Sequence, residues 1–180
     1  MAVVIVWLDG AFGAGKTTVA DELHRRLPDA MPFDPELVGY VLHRSVPRAP
    51  SGDFQDLPLW RALVAEFALG LRREYGRPLV VPMTLVDPVV REDVFGRLQA
   101  AGEHLLHVFL DVDAEELRRR VQAQVVVAHD AAADASARAF RLAAVDRCVA
   151  ARAHVPAGTL VLDGRLPTAE LADRVLAVLG

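Results

Sequence analysis

The chain has 180 residues, enough for one domain with a continuous core, and 53% of them are hydrophobic, which excludes a disordered protein. A net charge of −4 without a long basic run gives no support to nucleic-acid binding, and no apolar run reaches the roughly 18 residues of a membrane span. A lone cysteine, Cys148, rules out an internal disulfide and suits a reducing compartment, so composition predicts a soluble cytoplasmic protein.

In chain order, the start MAVVIVWLDG lacks the basic n-region of a signal peptide, and Val3 to Leu8 reads as a buried strand. A helix is expected from Lys16 to Leu27, stopped by Pro28, then a short strand near Met31 to Phe33. Asp34 is placed to cap a helix running from Pro35 to about Ser45. After a Pro-, Gly- and Asp-bearing loop from Pro47 to Leu57, Pro58 to Tyr75 reads as a long amphipathic helix. Its apolar stripe is Leu59, Leu63, Phe67 and Leu71. Leu79 to Met83 is a third strand, Pro88 to Ala101 a helix closed by Gly102, and His104 to Leu110 a fourth strand. A helix from Ala114 to about Gln122 precedes an irregular Val- and Ala-rich stretch, with helix resuming from Ser136 to Ala153. Residues 120–150 form either a helical lid with a mobile tip or one kinked helix. Thr159 to Leu162 is a fifth strand and Thr168 to Leu179 a final helix. There is no internal repeat, and strands alternating with helices predict one α/β domain over 1–180 with a parallel sheet covered on both faces.

The stretch Gly10-Ala11-Phe12-Gly13-Ala14-Gly15-Lys16-Thr17 matches G-x-x-x-x-G-K-[ST] between a strand and a helix. The glycines let successive backbone N–H groups converge on phosphate oxygens, and the helix start adds its positive dipole end. Lys16 is placed to reach the β- and γ-phosphates of ATP, the Thr17 hydroxyl to ligate Mg²⁺, and Thr18 to extend the nucleotide site. Lys16 is also the only lysine among 20 basic residues, the rest being arginine. A compact ammonium therefore stands at the one position where a guanidinium fork fits poorly.

Asp34, at the carboxyl edge of the sheet, is a candidate to accept a proton from a substrate hydroxyl or to hold the metal through water, as well as a cap. No acid ends the third strand, which runs Pro82-Met83-Thr84 with Asp87 three residues on. Asp111 and Asp113 follow the fourth strand, Asp113 reading as a cap, so Thr17 is the one assigned metal ligand. Arg118, Arg119 and Arg120 open the lid helix and point about 100° apart, so one or two of them can face a nucleotide. Arg118 is assigned to the nucleotide and Arg120 to the transferring phosphoryl group. Arg147 and Arg152 are weaker candidates, and the loop Asp163-Gly164-Arg165 is placed to flank an adenine.

The succession from Val6-Trp7-Leu8-Asp9 through the glycine loop, then Phe33-Asp34-Pro35-Glu36, Asp53-Phe54-Gln55-Asp56, Trp60-Arg61, Val81-Pro82-Met83-Thr84 and Asp146-Arg147-Cys148, resembles the tunicamycin-resistance ATP-binding proteins over nearly the whole chain. More distantly it resembles shikimate kinase, chloramphenicol phosphotransferase and the nucleoside monophosphate kinases. These resemblances imply a five-stranded sheet of order 2-3-1-4-5, an acceptor region after strand two and a lid at about 120–150. They imply that Asp53, Gln55, Trp60 and Arg61 cover a small-molecule acceptor, tunicamycin-like or another nucleoside or sugar compound. Trp60 reads equally as core or as acceptor wall. The lid departs from the kinase pattern, since Arg120 is followed four residues later by Gln124 rather than a second arginine. Two activities follow: phosphorylation of an antibiotic hydroxyl, or ATP-dependent sequestration without turnover. Leu171, Val175, Leu176, Val178 and Leu179 would suit peripheral membrane contact, but without a basic face the stripe reads as core packing.

Overall fold

Residues 4–180 are described by the computed structural model. The first strand, β1, spans Val4–Gly10, so the expected start at Val3 lies outside the described residues. It alternates sharply: Ile5 and Trp7 face one side of the sheet and Val6 and Leu8 the other, all fully buried. Such a strand needs cover on both faces, and it takes the centre of a parallel sheet of order β2-β3-β1-β4-β5. The partners are β2 (Met31–Pro32), β3 (Leu79–Pro82), β4 (His104–Asp111) and β5 (Leu160–Asp163).

One face is covered by α2 (Pro35–Ser45), α3 (Pro58–Tyr75) and α4 (Pro88–Ala100), around a core of Trp7, Trp60, Val81 and Leu98. The other is covered by α1 (Lys16–Arg26), α5 (Ala114–Ala123), α7 (Val145–Ala150) and α8 (Thr168–Leu179), around Leu8, Leu23, Leu117 and Val175. A further helix, α6 (Ala131–Ala143), joins α5 to α7. In α8, Leu171 and Val175 are buried and Leu176 and Leu179 pack against the same core, so most of its apolar stripe is spent on the sheet.

Two expectations are corrected. In α3 the stripe turned to the core is Trp60, Val64, Ala65, Ala68 and Leu69, while Leu59, Leu63 and Phe67 are exposed. The helix is apolar nearly all round, and the face carrying alanines allows the closer approach to the sheet. The lid region is not one kinked helix: α5 ends at Ala123 and α6 begins at Ala131, five residues before the expected Ser136. Asp130 starts α6 by accepting from Ala133 N at 2.9 Å, and the buried Asp134 carboxylate accepts from Val126 N and Val127 N at 2.5 and 3.0 Å. Those bonds hold the valine run in a loop, where its backbone groups are satisfied without a helix.

Candidate active site

β1 ends in Gly10, whose φ of 131° belongs to glycine, and a Cβ there would lie 2.6 Å from Leu110 O. The loop continues through Gly13 and Gly15, both at positive φ, and enters α1 at Lys16. No side chain caps α1, so the N–H groups of its first turn are open toward the loop. This is the arrangement that accepts phosphate oxygens. The Lys16 ammonium is held at 3.0 and 2.8 Å by the carbonyls of Gly10 and Ala11. Burial lowers its pKa to about 8, and the nearby charge of Asp9 works against that fall.

A cleft of about 330 Å³ opens over the loop. Phe12, Gly13, Gly15, Lys16, Thr17 and Thr18 form its floor, with both threonines exposed. Asp34 forms the wall on the β2 side, half-buried, with Oδ1 accepting from Glu36 N at 2.9 Å. Burial pushes its carboxyl pKa up, against the lowering effect of that backbone bond. The opposite wall is Gln124 and Arg141, joined by a 3.2 Å hydrogen bond, with the Arg141 guanidinium 5.5 Å from the centre of the Phe12 ring.

The lid arginines are distributed otherwise than the sequence suggested. Arg118 turns away to Asp146 of α7 at 2.6 Å and does not line the cleft. Arg120 stays near the loop but reaches Gly164 O at 3.0 Å and Gly13 O at 3.5 Å, its other edge held by Glu116. With Gly15, Thr18, Gly164 and Thr168, it lines a second hollow of about 410 Å³ behind the phosphate loop. Gly164 lets that wall close in, since a Cβ there would meet Val112 at 2.6 Å and Ala14 O at 3.2 Å. The arginine of the main cleft is Arg141, from α6, and the sequence reading missed it. It stands between Arg120 and Arg147 in the sequence, and its place in the cleft is set by how α6 packs rather than by a local motif.

On the acceptor side, Asp53 and Gln55 lie in and beside the short 3-10 turn Phe54–Asp56, and both line a small recess that shares Phe12 and Thr84 with the cleft. Gln55 Nε2 donates to Thr84 O at 2.9 Å. Trp60 is no acceptor wall: it is fully buried, packs on Phe54 and donates its indole N–H to Pro35 O at 3.2 Å. Arg61 lines neither hollow; it donates to Gln55 O at 2.8 Å and lies 3.9 Å from Asp93.

Asp113 caps α5 through Glu116 N, Asp87 caps α4, and Asp111 meets Arg152 at 3.3 Å. Among the described residues no three His, Cys, Asp or Glu side chains are placed to hold a metal. A metal held here would have to be carried mainly by phosphate oxygens and water, and the exposed Thr17 hydroxyl on the cleft floor is a side-chain oxygen that could join them. Asp9 is a second residue the sequence reading left unassigned. Fully buried beneath the loop, it accepts from Gly10 N at 2.6 Å and Leu85 N at 2.8 Å through Oδ1. Its Oδ2 stands 3.2 Å from His107 Nε2, whose Nδ1 meets Thr159 Oγ1 at 2.9 Å. Asp9 thus ties the start of the phosphate loop to the segment carrying Thr84.

Residues 5–146 match the AAA domain family. No protein of curated function matches closely enough to count as a relative. Among solved structures, the chain is similar to the Deinococcus radiodurans tunicamycin resistance protein, with a TM-score of 0.76 and 24% identity over 98% of this chain and 96% of that one. It is similar to the Mycobacterium tuberculosis APS kinase in complex with AMPPNP and APS, with a TM-score of 0.70 and 21% identity over 99% and 98%. A Sinorhizobium meliloti gluconokinase gives 0.64 and 16% over 98% and 91%. These likenesses establish a P-loop kinase-like fold, in agreement with the strand order.

Proposed function

The chain belongs to the AAA domain family, and from that premise we propose that it binds Mg·ATP at 10–17 and phosphorylates a hydroxyl of a small nucleoside- or sugar-containing antibiotic, tunicamycin-like in kind. The observation that carries the reading is the convergence of Lys16, Arg141 and Asp34 on one cleft of about 330 Å³ above an uncapped helix start.

The chemistry assigned to these residues follows from their placement. The open N–H groups at the start of α1 and the Lys16 ammonium hold the phosphates in the line of attack. The acceptor oxygen forms a bond to the γ-phosphorus as the bond to the bridging oxygen breaks, and ADP leaves with that electron pair. Asp34 takes the hydroxyl proton on the oxygen not used in capping, and its raised pKa makes it a stronger base. Arg141 moves from its position over Phe12 to neutralise charge on the transferring group. Magnesium, when bound, supplies charge neutralisation on the phosphates, with Thr17 as its protein ligand.

The test is incubation with Mg·ATP and tunicamycin, followed by mass spectrometry for a species heavier by one phosphoryl group. The product is expected with the native chain, absent with Lys16→Ala, and about 10²-fold slower with Arg141→Ala. A second reading, ATP-dependent sequestration, is favoured by one observation: the segment that follows β3 brings Thr84 to the cleft wall and no carboxylate that could help hold a metal. Tunicamycin and ATP binding without product would select it, and absence of drug binding would overturn the assigned acceptor.

A further inference from the structure

Beside the cleft lies the recess walled by Asp53, Asp56, Asp87, Thr84 and Phe12, and two features of it are unused by the chemistry above. The first is its charge. Each carboxylate is fixed through one oxygen: Asp53 Oδ1 by Gln55 N, Asp56 Oδ2 by Ser51 Oγ, and Asp87 Oδ1 by the N–H groups of Val89 and Val90. Among the described residues Arg147 is the one cation lining the recess, mostly exposed and 3.9 Å from Asp53, beyond hydrogen-bond reach. The second is Thr84, 3% exposed, whose hydroxyl has no partner although the residue lines both cleft and recess. A buried hydroxyl without a partner is costly unless a ligand completes it.

The recess holds about 20 Å³, space for one water-sized group rather than a ring. A divalent ion does not suit it, because among the described residues no three acidic, His or Cys side chains are placed around a metal-sized point. An anionic substituent would face three carboxylates. The cleft wall continues the same sign through Asp34 and Glu36, and Glu36 adds to the upward push on the Asp34 carboxyl. The cleft's own cations, Lys16 and Arg141, belong to the phosphate side.

We infer that the recess is an anchoring subsite for one ammonium group of the acceptor. Among nucleoside- or sugar-containing hydroxyl compounds the site therefore prefers those that bear an amine, such as an amino sugar, the amine meeting the carboxylates and Thr84 while the ring occupies the cleft. This rests on reading the cleft as a phosphoryl-transfer site, and it narrows the acceptor to a charge class.

The test is an amide chemical-shift titration of the full chain with glucosamine, glucose and gluconate, each with and without saturating Mg·AMPPNP. Glucosamine is expected to shift the Gln55, Thr84 and Asp87 amides at about fivefold lower concentration than glucose, the scale of one half-exposed ion pair, with gluconate weakest. In Asp56→Asn/Asp87→Asn, where asparagine still caps α4, the preference for glucosamine should fall toward equality. Gluconate binding as tightly as glucosamine, no shift at these amides with any of the three, or a preference undiminished in the double variant would each overturn the inference. The Gly13 and Gly15 amides report AMPPNP separately. If they stay still, the phosphoryl-transfer reading fails, while the sugar titrations alone still decide the recess.

Discussion

Lys16 is set between burial, which favours the neutral amine, and Asp9, which favours the ammonium. Phosphates recruit the charged form. Below about pH 8 the free protein already holds it; above about 8, binding must draw a proton from solvent. Nucleotide affinity is therefore expected to be level from pH 6.5 to about 7.5 and to weaken by up to about tenfold per pH unit beyond the bend. Asp9→Asn keeps an acceptor for Gly10 N and Leu85 N, and His107 can change tautomer to suit the amide. Losing the charge removes the leading influence that raises the Lys16 pKa, so the bend moves to lower pH. Fluorescence titrations of a labelled ATP analogue across pH would show it. An unchanged profile in Asp9→Asn would mean that Asp9 acts only as a tether.

The acceptor side is assembled by elements rather than by single residues. The Trp60 indole ties α3 to the first residue of α2, and Gly39 lets the Phe54 ring lie where a Cβ would come within 2.6 Å. Trp60→Phe removes a buried hydrogen bond and part of a buried side chain, and should cost about 1–3 kcal/mol in denaturant unfolding. ATP affinity should remain unchanged, because the phosphate loop is built from β1 and α1. A variant of normal stability with lost drug binding would restore Trp60 to the acceptor wall. The residues also explain what the sequence could and could not reveal. β1, the phosphate loop and α2 were legible because alternation, glycine spacing and the Asp34-Pro35 cap are local signals. The core face of α3 was not, because both of its sides are apolar and only the shape of the sheet chooses between them. Arg141 was not legible because its place depends on Asp130 and Asp134 folding the valine loop back, a contact between segments that periodicity does not record.

At the scale of the molecule, the sheet carries a fixed floor, and the connection from α5 to α6 supplies a wall that touches it through side chains. Gln124 and Arg141 face the cleft from that wall, and the loop between α5 and α6 is held through the Asp134 carboxylate, while Arg138 reaches back to Gln122 O near the end of α5. Closure over nucleotide would order this loop, and hydrogen exchange of residues 124–130 should slow on adding Mg·AMPPNP, while β1 and β4 change little. Equal slowing everywhere would indicate global stabilisation by ligand instead. With only one ε-amine in the chain, and that one tuned to about 8, an amine-selective acylating reagent has a single side-chain amine as target, located in the phosphate loop. Occupancy of the site can then be counted directly from the adducts nucleotide prevents, which makes the protein a reporter of its own ligand without any engineered label.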